Sequence, residues 1–140
     1  MKNKLFLSII FVFTLLSCKG QELGNVNIVK TIEGTEAGVL INGKKQGNWI
    51  YYDKTNILYK LCFYKDDMLN GKYIKFNPNG NILMTLDFES GRINGVANFY
   101  SSKGILLATY IYSNDIIKEI KYYVIDNESP PRNHDFIPNL

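Results

Sequence analysis

The sequence predicts an all-β fold, an antiparallel meander of hairpin repeats, and three observations lead there. Aromatic side chains are abundant and proline is scarce, with 10 Tyr and 8 Phe against 4 Pro, a bias toward residues that suit a pleated, half-buried surface. A pattern of glycine, aromatic and turn residues recurs without gaps every 24 residues, a period that marks a repeat architecture. Each copy holds two apolar stretches of strand length, each ended by residue types that accept positive φ.

The first element is a leader. Lys2 and Lys4 precede an apolar run from Leu5 to Leu16, interrupted only by Ser8 and Thr14. Its length suits the apolar region of a signal peptide and is short for a membrane span. The run ends in Leu15-Leu16-Ser17-Cys18, which resembles the lipobox of bacterial lipoproteins. That resemblance implies removal of residues 1–17 and acylation of Cys18 through its thiol, a membrane anchor that holds stably when more than one acyl chain is attached. Lys19 in place of an aspartate after the cysteine leans toward the outer membrane of a Gram-negative envelope. Residues 18–36, which begin with the acylated cysteine, read as a spacer.

The repeats come next. Gly47, Gly71 and Gly95 share one column, Tyr52, Phe76 and Tyr100 another, and an amide (Gln46, Asn70, Asn94) stands ahead of each glycine. The turn-like segments 53–56, 77–80 and 101–104 end in Asn56, Gly80 and Gly104, which predicts a type I turn closed by a left-handed residue; Pro78 falls where a fixed φ is favourable. Apolar strands come after them over Ile57 to Tyr64, Asn81 to Phe88 and Ile105 to Tyr112. Alternation puts Ile82, Met84, Leu86 and Phe88 on one sheet face. Asn42-Gly43, Asp66-Asp67, Ser90-Gly91 and Asn114-Asp115 then read as two-residue hairpin turns. The repeat glycines are expected to leave room for a ring lying over the neighbouring backbone.

The ends are atypical, as the outermost units of a repeat protein must be. Another period puts Glu119, Val124 and Glu128 in the glycine, aromatic and tip columns, so a fourth unit is degenerate. Ile116 to Ile125 supplies a final strand, and a strand near Ala37 to Ile41 covers the other end. The repeat domain therefore spans 37–125, and 126–140, with Pro130-Pro131, reads as a disordered tail.

The combined pattern is similar to the MORN repeat in its bacterial variant, over about Leu40 to Tyr112. The resemblance implies an antiparallel meander of MORN-like hairpin repeats, an elongated, largely single-layer sheet. Through the YwqK-type chains of that family, commonly labelled antitoxins, it also implies a toxin-neutralising or immunity role as an alternative.

Charge and chemistry narrow the function. Removing Lys2 and Lys4 with the leader leaves 14 basic against 13 acidic residues, and the basic residues are interspersed with acids, which argues against nucleic acid as a partner. With Cys18 lipidated only Cys62 remains, a small apolar residue for the interior, and no disulfide can form within the exported domain. His134 lies in the tail without Cys or His at ligand spacing, so no metal is expected. No base stands near a nucleophile inside the repeats and no glycine-rich loop opens onto a helix, so neither enzyme nor cofactor is expected.

The aromatics leave two readings open. In one, Tyr52, Phe76 and Tyr100 pack the sheet. In the other, some of Trp49, Tyr51, Tyr73 and Phe99 form an exposed stripe that docks a protein, a glycan or lipid headgroups. The leading expectation is a non-enzymatic interaction or scaffold module of the bacterial envelope. It would be held at the membrane by the lipid on Cys18 and engaged with another envelope protein, with glycan or lipid capture as a further alternative.

Overall fold

The structure, a computed structural model, describes residues 25–31 and 33–123. Cys18 and its leader, the tail from 126 and His134 lie outside the described residues. Within them nine strands run in chain order: β1 (Asn25–Thr31), β2 (Gly34–Ile41), β3 (Lys44–Asp53), β4 (Leu58–Lys65), β5 (Met68–Phe76), β6 (Ile82–Glu89), β7 (Arg92–Tyr100), β8 (Leu106–Ser113) and β9 (Ile116–Tyr122). They form one open sheet in the order β1 to β9, every neighbouring pair antiparallel. This is the all-β meander of hairpins that the period predicts.

Local chemistry explains the turns. Both residues of each short turn have positive φ: 53° and 76° at Asn42-Gly43, 52° and 67° at Asp66-Asp67, 50° and 81° at Ser90-Gly91, 50° and 67° at Asn114-Asp115. That is the type I′ geometry whose twist matches the flanking strands, and Asn, Asp and Gly occupy it at the least cost. At the opposite ends of the strands the longer turns close through Asn56 N to Asp53 O, Gly80 N to Asn77 O and Gly104 N to Ser101 O, each 2.9 Å. The residue that opens each longer turn also braces it. Asp53 Oδ1 accepts from the N–H of Thr55 (2.8 Å) and Ile57 (2.9 Å), Asn77 Oδ1 from Asn79 (3.0 Å) and Asn81 (2.9 Å), and Ser101 Oγ from Lys103 and Ile105 (both 3.2 Å). Asp, Asn and Ser recur in this column because their short side chains reach the backbone two and four residues on.

Two kinds of register shift shape the sheet. Between Cys62 and Tyr64, and again between Leu86 and Phe88, one residue of the even-numbered strand faces three on its partner. Gly71 (φ 130°) and Gly95 (φ 117°) lie in these bulges. A Cβ there would stand 3.1 Å from Cβ of Phe63 and 3.0 Å from Cβ of Asp87, so the glycine column serves positive φ and close approach together. The contact of a ring with glycine backbone is tightest elsewhere. It falls at Gly38, where a Cβ would sit 2.3 Å from Cδ2 of Trp49, while one at Gly47 would meet nothing within 4 Å.

The second shift, near each longer turn, inserts Tyr59, Leu83 or Leu107 as an extra residue. It corrects the simple alternation. Met84 pairs with Lys75 on one face, but beyond Leu83 the next pair is Ile82 with Phe76, and one inserted residue moves Ile82 to the opposite face from Met84, Leu86 and Phe88.

The sheet also starts earlier than the repeat pattern indicates. β1 and the start of β2 lie within the 18–36 stretch read as a spacer, paired from Asn25↔Leu40 to Thr31↔Gly34. Carried back one period, the glycine and aromatic columns fall on Leu23 and Ile28, so the repeat gives no signal there. Cross-strand pairing with β2, which already belongs to the sheet, makes the strand.

Candidate interaction surface

Pairing sorts the side chains onto two faces. One face carries the core: Trp49, Tyr51, Cys62, Leu69, Tyr73, Met84, Leu86, Phe88, Ile93, Ala97, Phe99, Ala108 and Tyr110 are buried in one cluster. Large residues stand across from small ones, Trp49 over Gly38, Tyr73 beside Cys62, Leu86 beside Ala97, so neighbouring strands interlock as close packing requires. Rings cover one another along the sheet, with centroids 6.4 Å apart for Trp49 and Tyr64, 6.1 Å for Tyr73 and Phe88, and 5.0 Å for Phe99 and Tyr110. Burying each of the larger side chains contributes roughly 1.5–3 kcal/mol.

This arrangement overturns the exposed-stripe reading. Trp49, Tyr51, Tyr73 and Phe99 are only 1%, 7%, 7% and 2% exposed, and no partner can rest on them without opening the core. The reason is length: a flat ring lying across the next strand covers its own area and that of its neighbour. Tyr52, Phe76 and Tyr100 are instead half-buried on the opposite face.

The core face has one polar corner. Lys45 Nζ pairs with Glu36 at 2.8 Å, meets the Tyr51 hydroxyl at 3.2 Å and stands 4.2 Å above the Trp49 ring. Tyr51 and Tyr64 share a hydroxyl hydrogen bond of 3.0 Å, and Lys60 Nζ lies 3.8 Å over the Tyr51 ring. Burial raises the Tyr51 hydroxyl far above its ordinary range, with help from the Tyr64 hydrogen bond, lowers Lys60, and pushes the Cys62 thiol up to about 11. The phenol and thiol are thus held protonated, the form in which neither is a nucleophile. A cleft of about 220 Å³ adjoins this corner, lined by Glu33, Thr35, Glu36, Tyr59 and Lys60 among others.

The opposite face is open. Across it runs a single register row in which each residue pairs with the next: Ile28, Ala37, Ile50, Leu61, Ile74, Thr85, Asn98, Thr109 and Lys121. The row changes character at its middle. From β1 to β5 it is apolar. From β6 it is polar, with Thr109 Oγ1 donating to Asn98 Oδ1 at 2.7 Å and Asn98 Nδ2 reaching Thr85 Oγ1 at 3.5 Å. Tyr52, Leu58, Phe76 and Ile82 flank the apolar half on one side and Phe63 and Met68 on the other. Val26 and Ile28 at its edge are 73% and 68% exposed, Met68 50% and Phe63 39%.

These residues are not singled out by the repeat pattern, yet a signal for them exists. Positions 50, 74 and 98 read Ile, Ile, Asn, and positions 61, 85 and 109 read Leu, Thr, Thr. In a repeat whose structural columns are constant, a column that switches from apolar to polar marks a surface. The sheet edges differ as well: β9 carries Lys118, Glu119 and Lys121, the last two paired at 3.3 Å, whereas β1 presents Val26, Ile28 and Val29. Among the described residues no helix is long and apolar enough to cross a membrane. No family model matches the sequence, and no curated protein matches it.

Proposed function

We propose that this chain is a non-enzymatic interaction module of the bacterial envelope, a MORN-like sheet tethered to a membrane through the lipid on Cys18 and offering its open face to other proteins. The observation that carries the reading is the asymmetry of the sheet: one face spends its aromatic residues on a closed core, and the other leaves a continuous band of Ile, Leu, Phe, Met and Tyr half-exposed. Apolar surface of that continuity marks interaction sites in soluble domains. The lipobox-like Leu15-Leu16-Ser17-Cys18 supports the tether.

The test replaces Tyr100, on the open face in β7, with a photo-crosslinking phenylalanine analogue in the full chain, in cells. A discrete adduct with another envelope protein, lost when Cys18→Ala releases the chain from the membrane, is the expected result. Absence of any adduct from Tyr100 and from Ile50 across several growth conditions overturns the reading, and an unacylated, soluble wild type overturns the tether.

A further inference from the structure

We infer that the apolar half of the open face, from β1 to β5, is the seat of a second copy of this chain, packed sheet on sheet about a two-fold axis near Ile50. The inference rests on the open face being the interaction surface and goes beyond it by naming the occupant of one half.

Area is the first argument. Five strands about 4.8 Å apart, each presenting some six residues of about 3.4 Å, give a footprint of roughly 500 Å² in projection. The roughly 800 Å² per partner of a stable interface counts side-chain surface as well as footprint, so a face of this extent is of the order that a dimer needs. Lys30, Thr35, Asn48 and Lys72 interrupt this face, and the contiguous apolar patch that remains is of the size that commonly marks an interaction site. The exposed edge residues, Val26 and Ile28, show how much of it nothing in the described residues covers.

Shape and charge then select the occupant. A broad apolar sheet face is covered by another sheet at about 10 Å, its side chains interleaved with those of the first. The molecule itself supplies a face of matching width and character. The apolar row Ile28, Ala37, Ile50, Leu61, Ile74 has Ile50 at its centre, so a two-fold rotation there lays apolar half on apolar half. It leaves Thr85, Asn98 and Thr109 outside the contact. Lys72, at the border of the patch, pairs with Asp87 at 2.6 Å, and Lys30 and Lys65, at the strand ends of the same face, stand at the corners of the patch, where long side chains keep their ammonium groups in water. A two-fold contact of this kind uses one patch twice and is the commonest form of protein self-association.

The closing experiment uses the full chain in its own membrane. Ile50→Cys and Thr109→Cys are each treated in cells with a thiol-to-thiol bismaleimide whose reach matches the spacing of about 10 Å between packed sheets and resolved on a denaturing gel, with the buried Cys62 as the common background. Two copies meeting at Ile50 give a crosslinked dimer from Ile50→Cys, while Thr109→Cys stays monomeric at the same density. Leu61→Lys added to Ile50→Cys should weaken self-association on the order of tenfold or more, since it places an ammonium in the contact. A dimer yield from Ile50→Cys no greater than from Thr109→Cys overturns the inference. So does attachment of Ile50→Cys to a different protein, though that result keeps the interaction reading; failure of both this experiment and the Tyr100 crosslink removes both.

Discussion

The face bearing Trp49, Tyr73, Leu86 and Phe99 and the face bearing Ile50, Leu61 and Ile74 belong to the same strands, alternate residue by residue, and are both rich in apolar side chains. Yet the first is closed and the second open. No second layer among the described residues accounts for the difference. What differs is the matching of large with small: on the first face Trp49 lies over Gly38, and Tyr73 and Leu86 stand beside Cys62 and Ala97, so each large side chain covers a short neighbour, whereas on the second Ile50, Leu61 and Ile74 follow one another across the strands, large beside large. In a single layer, what stands on the neighbouring strand decides burial, so that Cys62 and Ala97 are closed off while Phe63 and Met68 are exposed.

The contrast can be broken most severely at Gly38. Because a Cβ there would overlap the Trp49 indole at 2.3 Å, Gly38→Val must expel the ring from the core, and a loss on the order of 4 kcal/mol or more is expected in chemical denaturation. Next in size is a paired comparison of adjacent residues. Trp49→Ala should cost about 3–5 kcal/mol, while Ile50→Ala, one residue along and half-exposed, should cost about 1 kcal/mol. Equal losses from the two would show that the faces are energetically alike and would remove the distinction between them.

A smaller effect is expected at the turns that join the two faces. Asn77 is only 8% exposed; its Oδ1 braces its own turn, and its Nδ2 donates to Ser102 O of the next repeat at 2.7 Å. Asn77→Ala should therefore destabilise by about 1–2 kcal/mol, whereas Asn77→Ser, which keeps an acceptor for the turn as Ser101 does one repeat on and loses the donor, should lose less. The order of the two midpoints in a thermal melt checks this.

The subtlest expectation concerns alkali. Burial, then the hydrogen bond with Tyr122, raises the Tyr110 hydroxyl from about 10 to about 12. A folded-state value above the unfolded one means that the stabilisation is intact below about pH 10 and is lost as pH rises from there toward about 12. Ultraviolet titration should show phenolate formation at Tyr110 delayed in the native chain, with the melting temperature falling over the same interval. A native titration curve that matches the unfolded chain throughout would contradict the packing of Tyr110 against Phe99, Tyr112 and Tyr122.

Much of the fold is legible in the sequence because it is local. Asn42-Gly43, Asp66-Asp67, Ser90-Gly91 and Asn114-Asp115 accept positive φ by their own covalent structure, and the Asp53, Asn77 and Ser101 column braces turns through bonds spanning four residues or fewer. Those signals set the strand count and the hairpin order over the repeats. The interaction surface is not legible in the same way. Trp49 and Ile50 are equally apolar neighbours, and which of them faces the core depends on parity, which the inserted Tyr59, Leu83 and Leu107 reverse near each longer turn.

The amino-acid sequence alone determined the period of 24, the two classes of turn and the antiparallel order, since each arises from backbone preferences of residues close in the chain. Only the tertiary structure decided that the sheet extends back to Asn25, that Gly38 rather than Gly47 receives the Trp49 ring, and that Trp49, Tyr51, Tyr73 and Phe99 are interior. These are matters of what lies across the neighbouring strand, and burial is a property of that company rather than of the residue.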